Sequence, residues 1–318
     1  MTRPVPLLIT VAATAFVIAL MAGKSWIAPS LWLTASPEGW IMAELRLPRA
    51  ILGATIGAVL GLSGAVLQGY LRNPLADPTV VGVSASAALG GVLAIVLGLS
   101  GLALFGFAMV GAAISVALLV MLAGRGGGPL AFILAGMVLA TLAGSLTALV
   151  ISLAPNPFAT SEIVAWLMGA LTDRTMDDVR LALPFMALGS LILLSTGRAL
   201  DALTLGEEAA RSLGFDPARL QWRVALGTGL AVGASVAVTG VVGFVGLIVP
   251  HVLRRLVGER PSALLIPSAL GGAILTLIAD SAVRLTPGPG EIRLGIAMAA
   301  LGAPFFLILL ARLRRGDA

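Results

Sequence analysis

Residues 198–223 read RALDALTLGEEAARSLGFDPARLQWR and carry Arg198, Asp201, Glu207, Glu208, Arg211, Asp216, Arg219 and Arg223. At a bilayer centre each such charge costs roughly 2.5–3.5 kcal/mol, so burying the stretch in lipid would cost on the order of 20 kcal/mol or more. No run of leucines inside it offsets that, and the segment therefore lies in water. Long apolar stretches flank it on both sides, which makes it a loop of a membrane protein. Within the loop, Thr204 and Glu207 have the T-x-x-E spacing of a capping box, in which each side chain satisfies a free backbone N–H of the other residue's end. Leu205, Ala209 and Leu213 recur at helical spacing, and Gly214 suits the left-handed position that ends a helix. Asp216 and Pro217 then supply an N-cap and a proline at the first helical position. Two short capped helices are expected over about 204–221. Stiff helices in such a loop suit docking onto a soluble partner; a solvated loop with local structure is the alternative.

The chain has 318 residues, 58% hydrophobic and 11% charged, with a mean hydropathy of +1.06. That balance defines a polytopic, all-α membrane protein, read as a single transmembrane domain over 1–318. The apolar runs lack the alternation of a barrel strand, and only helices or closed barrels satisfy a lipid-embedded backbone. The net charge of +5 comes from basic residues clustered between spans, where they set orientation, and does not indicate nucleic-acid binding. The chain has no cysteine, which excludes disulfide, iron–sulfur and zinc-thiolate sites. Gly23-Lys24-Ser25 imitates the tail of a phosphate-binding loop, but Ile18 stands where that motif needs glycine. Lys24 is the only lysine, so lysine chemistry has no other location. His251 follows a proline with no serine or carboxylate nearby in sequence, and no spaced His or Glu pair suggests a metal site. No catalytic residue, metal or cofactor is therefore expected, and the chain is not expected to hydrolyse ATP itself.

Along the chain, residues 5–23 form a first span, expected to stay uncleaved, with Arg3 before it on the cytoplasmic side. The second, 48–70, carries Gly53, Gly57, Gly61 and Gly64, a ladder of small residues that admits a close helix neighbour. LRNPLADP at 71–78 breaks it. Residues 79–123 hold two spans folded at Gly98 to Gly101, a turn comes at 125–128, and 129–153 is the fifth span. Residues 154–180 are placed outside with an amphipathic helix at 161–171, and 181–197 is the sixth span. Residues 224–256 are short for two spans and long for one; Gly240, Gly243 and Gly246 offer the turn, and Pro250-His251 interrupts the apolar run beyond it. A re-entrant helix is the alternative. If 243–256 cross, then Arg254, Arg255, Arg260, Arg312, Arg314 and Arg315 all lie inside, as the positive-inside rule prefers. With 263–279 and 294–313 the total is ten spans and both termini are cytoplasmic.

The spans are almost empty of ionisable residues, which argues against proton or sodium coupling and points to a docked ATPase as the energy source. Arg46 and Arg49 sit at the start of a helix, where the macrodipole disfavours cations, and on the outer side together with Arg284. Such charges can snorkel to headgroups. The sharper reading is a docking patch for an acidic extracytoplasmic protein.

Four stretches carry a family likeness: LRLPRAILGATIGAVLGLSGAVLQGYLRNPLADPTVVGVSASAALG (45–90), LGEEAARSLG (205–214), TGVVGFVGLIVPHVLRRLVG (239–258) and LGAPFFLILL (301–310). In that order they resemble the FecCD-type permeases for vitamin B12, ferric siderophores and haem. The resemblance implies the permease subunit of a type II ABC importer in the bacterial inner membrane. It implies two copies of a ten-span permease on two cytoplasmic ABC ATPases, served by a periplasmic or lipid-anchored substrate-binding protein. It assigns ATPase coupling to the helix pair holding Thr204, Glu207, Glu208, Ala209, Ala210 and Gly214, and binding-protein docking to Arg46, Arg49 and Arg284. Spans five and ten would line the path. The family's E-L-P-x-G turn reads Glu291-Ile292-Arg293-Leu294-Gly295 here, with Arg293 in the proline's place. The cargo so implied is an iron chelate, ferric siderophore or haem, with cobalamin as the alternative. A standalone channel or secondary carrier is the competing class.

Overall fold

The computed structural model describes residues 4–124, 128–287 and 290–315, with the side chains at 310 and 312–315 left aside. The expectations for Arg3, Arg125 and the side chains of Arg312, Arg314 and Arg315 lie outside the described residues. Helix α1 (Pro4–Met21) is followed by a 3₁₀ turn at Pro29–Leu31 and the short α2 (Pro37–Ile41). A π turn at Met42–Arg46 leads directly into α3 (Leu47–Leu71). Then come α4 (Val83–Val96), α5 (Gly101–Ala123), α6 (Gly128–Ser152), α7 (Pro157–Leu167), α8 (Met176–Leu194) and α9 (Gly197–Leu203). The chain finishes with α10 (Glu207–Ser212), α11 (Pro217–Thr239), α12 (Val245–Val257), α13 (Pro261–Arg284) and α14 (Leu294–Arg315).

Among the described residues, six helices, taking Pro37–Leu71 as one, are long and apolar enough to cross a membrane, and α8 bent by 40° into α9 adds a seventh. The apolar α4 and α14 and the amphipathic α12 complete the ten expected spans. At 13 residues α12 rises only about 20 Å, short of a hydrocarbon core of roughly 30 Å. Irregular backbone at 240–244 makes up the difference, as the 3₁₀ turn Pro78–Val81 does for α4. Non-helical backbone at membrane depth survives only inside protein, and both joints are packed within the bundle.

The core is organised on the antiparallel contact of α3 with α13. Gly53 faces Leu277, Gly57 faces Gly272 and Thr276, and Gly61 faces Ser268. A Cβ at Gly57 would overlap the carbonyl oxygen of Gly272, and one at Gly272 would overlap that of Gly57. Backbone-to-backbone packing of this kind is what the glycine ladder permits. The ladder continues to α12, where Gly64 lies on Gly246.

Asp201 shows which ends share a face. At the start of α13, Arg260 Nε donates to its Oδ2 at 2.7 Å, and Ser262 N–H to its Oδ1 at 2.9 Å. The 23 residues of α11 rise about 34 Å from this face, enough to cross. At its far end Thr239 O accepts from Ala170 N at 2.8 Å. The chain is back beside Asp201 at residue 260, so 240–257 must cross in return. The re-entrant alternative is thereby excluded.

Several local expectations need correction. Pro250 does not interrupt α12; it lies inside the helix. A proline in a helix leaves the carbonyl four residues back without its donor. That carbonyl is Gly246 O, and Gln68 Nε2 donates to it at 3.2 Å while Gln68 Oε1 accepts from Arg254 Nη2 at 3.0 Å. The amphipathic helix expected at 161–171 runs instead over Pro157–Leu167, because Asn156 caps it by accepting from Ala159 N at 2.9 Å. The second helix of the 204–221 loop is not short, since Pro217 opens α11, which runs on to Thr239.

Candidate functional site

Three regions bear on function: the face around Asp201, a central cavity, and a charged cluster at the opposite end of the bundle. On the first, the expected capping box does not form. Thr204 belongs to the end of α9 and donates its hydroxyl to Asp201 O at 2.7 Å. Gly206, at φ 102°, separates it from α10, whose N-terminus has no side-chain cap. Glu207 is thus the first residue of α10 rather than its third, and with Glu208 it places negative charge where the helix dipole favours it. Arg211 sits in the last turn, 3.4 Å from Glu207. Gly214 takes the expected left-handed φ of 85°, with Phe215 N–H donating to Ala210 O at 3.0 Å. Asp216 caps α11 by accepting from Ala218 N at 2.9 Å.

Ala210 points inward, Ala209 is half-buried, and Thr204, Glu208 and Gly214 face outward. Leu205 and Leu213 are 68% and 59% exposed on the segment whose charge keeps it out of lipid. Two bare leucines on a stiff polar element are a contact surface awaiting a partner. The element is not loose. Asp201 receives three donors from α13: Arg260 Nε, Ser262 N–H and Ser262 Oγ, the last at 2.6 Å. Sequence reasoning missed this anchor, because its partners lie 59 and 61 residues away and no spacing rule connects them.

Above this face lies a cavity of about 640 Å³, lined among others by Leu75, Asp77, Phe244, Leu247, Ile296 and Phe306. That is the size of a small-molecule site, and its wall is overwhelmingly apolar. Among the described residues, Asp77 is the one charged side chain on the wall. Its carboxylate is occupied, accepting from Thr79 N at 2.9 Å and Thr79 Oγ1 at 2.7 Å. Gly295, Ile296, Ala299 and Phe306 of α14 line the cavity, and none of the described lining residues comes from α6.

At the opposite end, two of the three cations expected to dock a partner are buried, Arg46 at 6% and Arg284 at 4% exposure. Arg46 donates to Leu20 O and Met21 O, both at 3.1 Å, and to Ser25 O at 2.6 Å. It therefore caps the C-terminal end of α1, where a cation is favoured. A local argument sees only the unfavourable start of α3; the tertiary neighbour reverses its sign. Arg284 donates to Ala22 O at 3.1 Å and pairs with Asp280 at 3.0 Å. Arg49 bridges Asp280 at 2.9 Å and Glu291 at 2.8 Å. Asp280 and Glu291, unremarkable at span ends in sequence, complete the cluster. Arg293 does not prevent α14 from starting at Leu294, whose neighbour Gly295 donates its N–H to Gly169 O at 3.1 Å.

A helical membrane bundle with an anchored, partner-ready element on one face and a smooth cavity above it is the membrane subunit of a transporter. The chain belongs to the FecCD transport family, whose model matches residues 9–312. It is 39% identical over 310 residues to the vitamin B12 import system permease protein BtuC of Vibrio cholerae, covering 96% of this chain and 93% of that one. It is 35% identical over 293 residues to the hemin transport system permease protein HmuU of Yersinia pestis, covering 90% and 88%. Among solved structures, an inward-facing chain assigned to the metal-chelate type of ABC transporter matches with a TM-score of 0.90 and 33% identity. That match covers 98% of this chain and 100% of the other. The protein is accordingly a multi-pass permease subunit of an ABC importer, and ATP hydrolysis resides in a separate subunit.

Proposed function

We propose that this permease imports a bulky metal chelate, working as two copies on two cytoplasmic ABC ATPases and fed by a binding protein outside. The short α10, which follows the anchored α9, carries this reading. Thr204, Glu207, Glu208, Ala209, Ala210 and Gly214 make up the surface offered to the ATPase, and Asp201 ties that surface to α13. ATPase closure would then move α13 and, through the glycine contact, α3. Arg254, Arg255 and Arg260 near the same face support its being cytoplasmic in a bacterial inner membrane, with both termini on that side.

The binding protein docks at the far end, around Arg46, Arg49 and Arg284. Arg49, with a side chain 11% exposed, is the member an incoming carboxylate can pair with, by displacing Glu291, 26% exposed, from it. For the cargo, a ferric siderophore or haem and a corrinoid both suit a smooth wall without free charge. The relative named for vitamin B12 matches over more of this chain than the one named for hemin, which favours the corrinoid.

The test is uptake into proteoliposomes that contain the permease, its co-purified ATPase and binding protein, with labelled cobalamin, haem and a ferric siderophore offered in parallel. One cargo should enter and only with ATP. Flux without ATP, or equal flux of all three, would sink the importer reading and favour a channel.

A further inference from the structure

Phe244 stands at the joint between α11 and α12 with φ 67°. For a bulky side chain this is an outlier, and glycine is the residue that adopts it freely. Such backbone persists only where its surroundings over-determine it, and it concentrates at switch regions. The surroundings here are specific. The ring fills a notch on α14 at Gly302, where any Cβ would overlap it. Two residues further on, Pro304 lies inside α14 and leaves one helical carbonyl without its donor, a place where the helix can bend. A second contact joins α12 to α14 one step nearer the coupling face, the rings of His251 and Phe305 meeting edge-on at 5.7 Å. Phe244 also lines the cavity, together with Leu75 and Phe306 among others.

We propose that Phe244 is a gating residue of the translocation path. Seated at Gly302, its ring holds α14 against α12 partway along the cavity wall. For cargo to leave, the ring must come out of the notch as α14 bends at Pro304. This rests on the permease reading above and deepens it.

The protein has no cysteine, so A299C on the cavity wall places a single thiol in the permease chain and leaves the Phe244 ring in place. In the assembled transporter its rate with a membrane-impermeant maleimide is measured without nucleotide and in the ATP-trapped state. A gate gives rates that differ by tenfold or more; equal rates overturn the proposal, whether or not any cargo has been identified. A second measurement uses proteoliposomes preloaded with labelled cobalamin. F244G relieves the strained backbone but empties the notch, so its melting temperature is recorded beside the leak, and it is expected to leak at least tenfold faster than wild type without ATP. In F244G/G302A the new methyl refills part of the notch and should leak less than F244G. A stable F244G with wild-type leak and wild-type ATP consumed per cargo would make the ring mere packing. Failure of wild type to take up any cargo with ATP would instead count against the permease reading, and the labelling result would still stand.

Discussion

Replacing Asp201 by alanine removes the side chain that joins α9, and with it the proposed coupling helix α10, to the start of α13, and its cost can be worked from the contacts. Asp201 accepts from the Ser262 N–H at 2.9 Å, which acts as a cap on the first turn of α13 and contributes about 1 kcal/mol. The Ser262 hydroxyl at 2.6 Å adds a hydrogen bond to a charged group, about 1–1.5 kcal/mol. The Arg260 side chain is 67% exposed, so its ion pair is discounted to about 0.5 kcal/mol or less. The sum is about 2–3 kcal/mol, or roughly 30- to 150-fold in the local opening equilibrium. Hydrogen exchange of the Ser262 amide in the detergent-solubilised protein reads that number directly. Asp201→Asn keeps an oxygen for the N–H but loses the charge, and should show about half the effect. The functional signature is a split: ATP hydrolysis by the partner persists while uptake per ATP falls. If Ser262 exchanges within threefold of wild type in Asp201→Ala, and uptake per ATP is unchanged, the anchor transmits nothing.

Asp280, 2% exposed between Arg49 and Arg284, holds two buried cations. Asp280→Ala should lower stability by about 3–5 kcal/mol in chemical unfolding, and adding Arg49→Met should recover part of that loss. Gly57→Leu meets the Gly272 backbone and should cost at least about 1–3 kcal/mol, whereas Gly144→Ala, facing open space on α6, should change stability by less than about 1 kcal/mol. Thermal melting of the two side by side separates a packing glycine from an incidental one. Glu208 is exposed, so Glu208→Lys should leave stability within about 0.5 kcal/mol of wild type while reducing co-purification of the ATPase; undiminished co-purification would remove Glu208 from the proposed interface.

Much of this architecture is legible in one dimension because hydropathy and capping act over a few residues. The charge on 198–223 excludes it from lipid whatever it touches, the Gly98–Gly101 reversal and the Gly214 stop need only positive φ, and Asp216-Pro217 caps a helix wherever it stands. The glycine ladder announces a close neighbour without naming it. What only the tertiary structure decided depends on partners distant in sequence. Thr204 reads as a cap until Gly206 hands it to α9. Pro250 reads as a break until Gln68 supplies the missing donor. Arg46 reads as an exposed cation at the wrong end of α3 until it is seen closing α1, and the return crossing of 240–257 was undecided until residue 260 was found beside Asp201. Transfer free energy and local backbone geometry are written into the order of the residues. Which buried carbonyl or carboxylate a side chain finds is settled only when the helices pack.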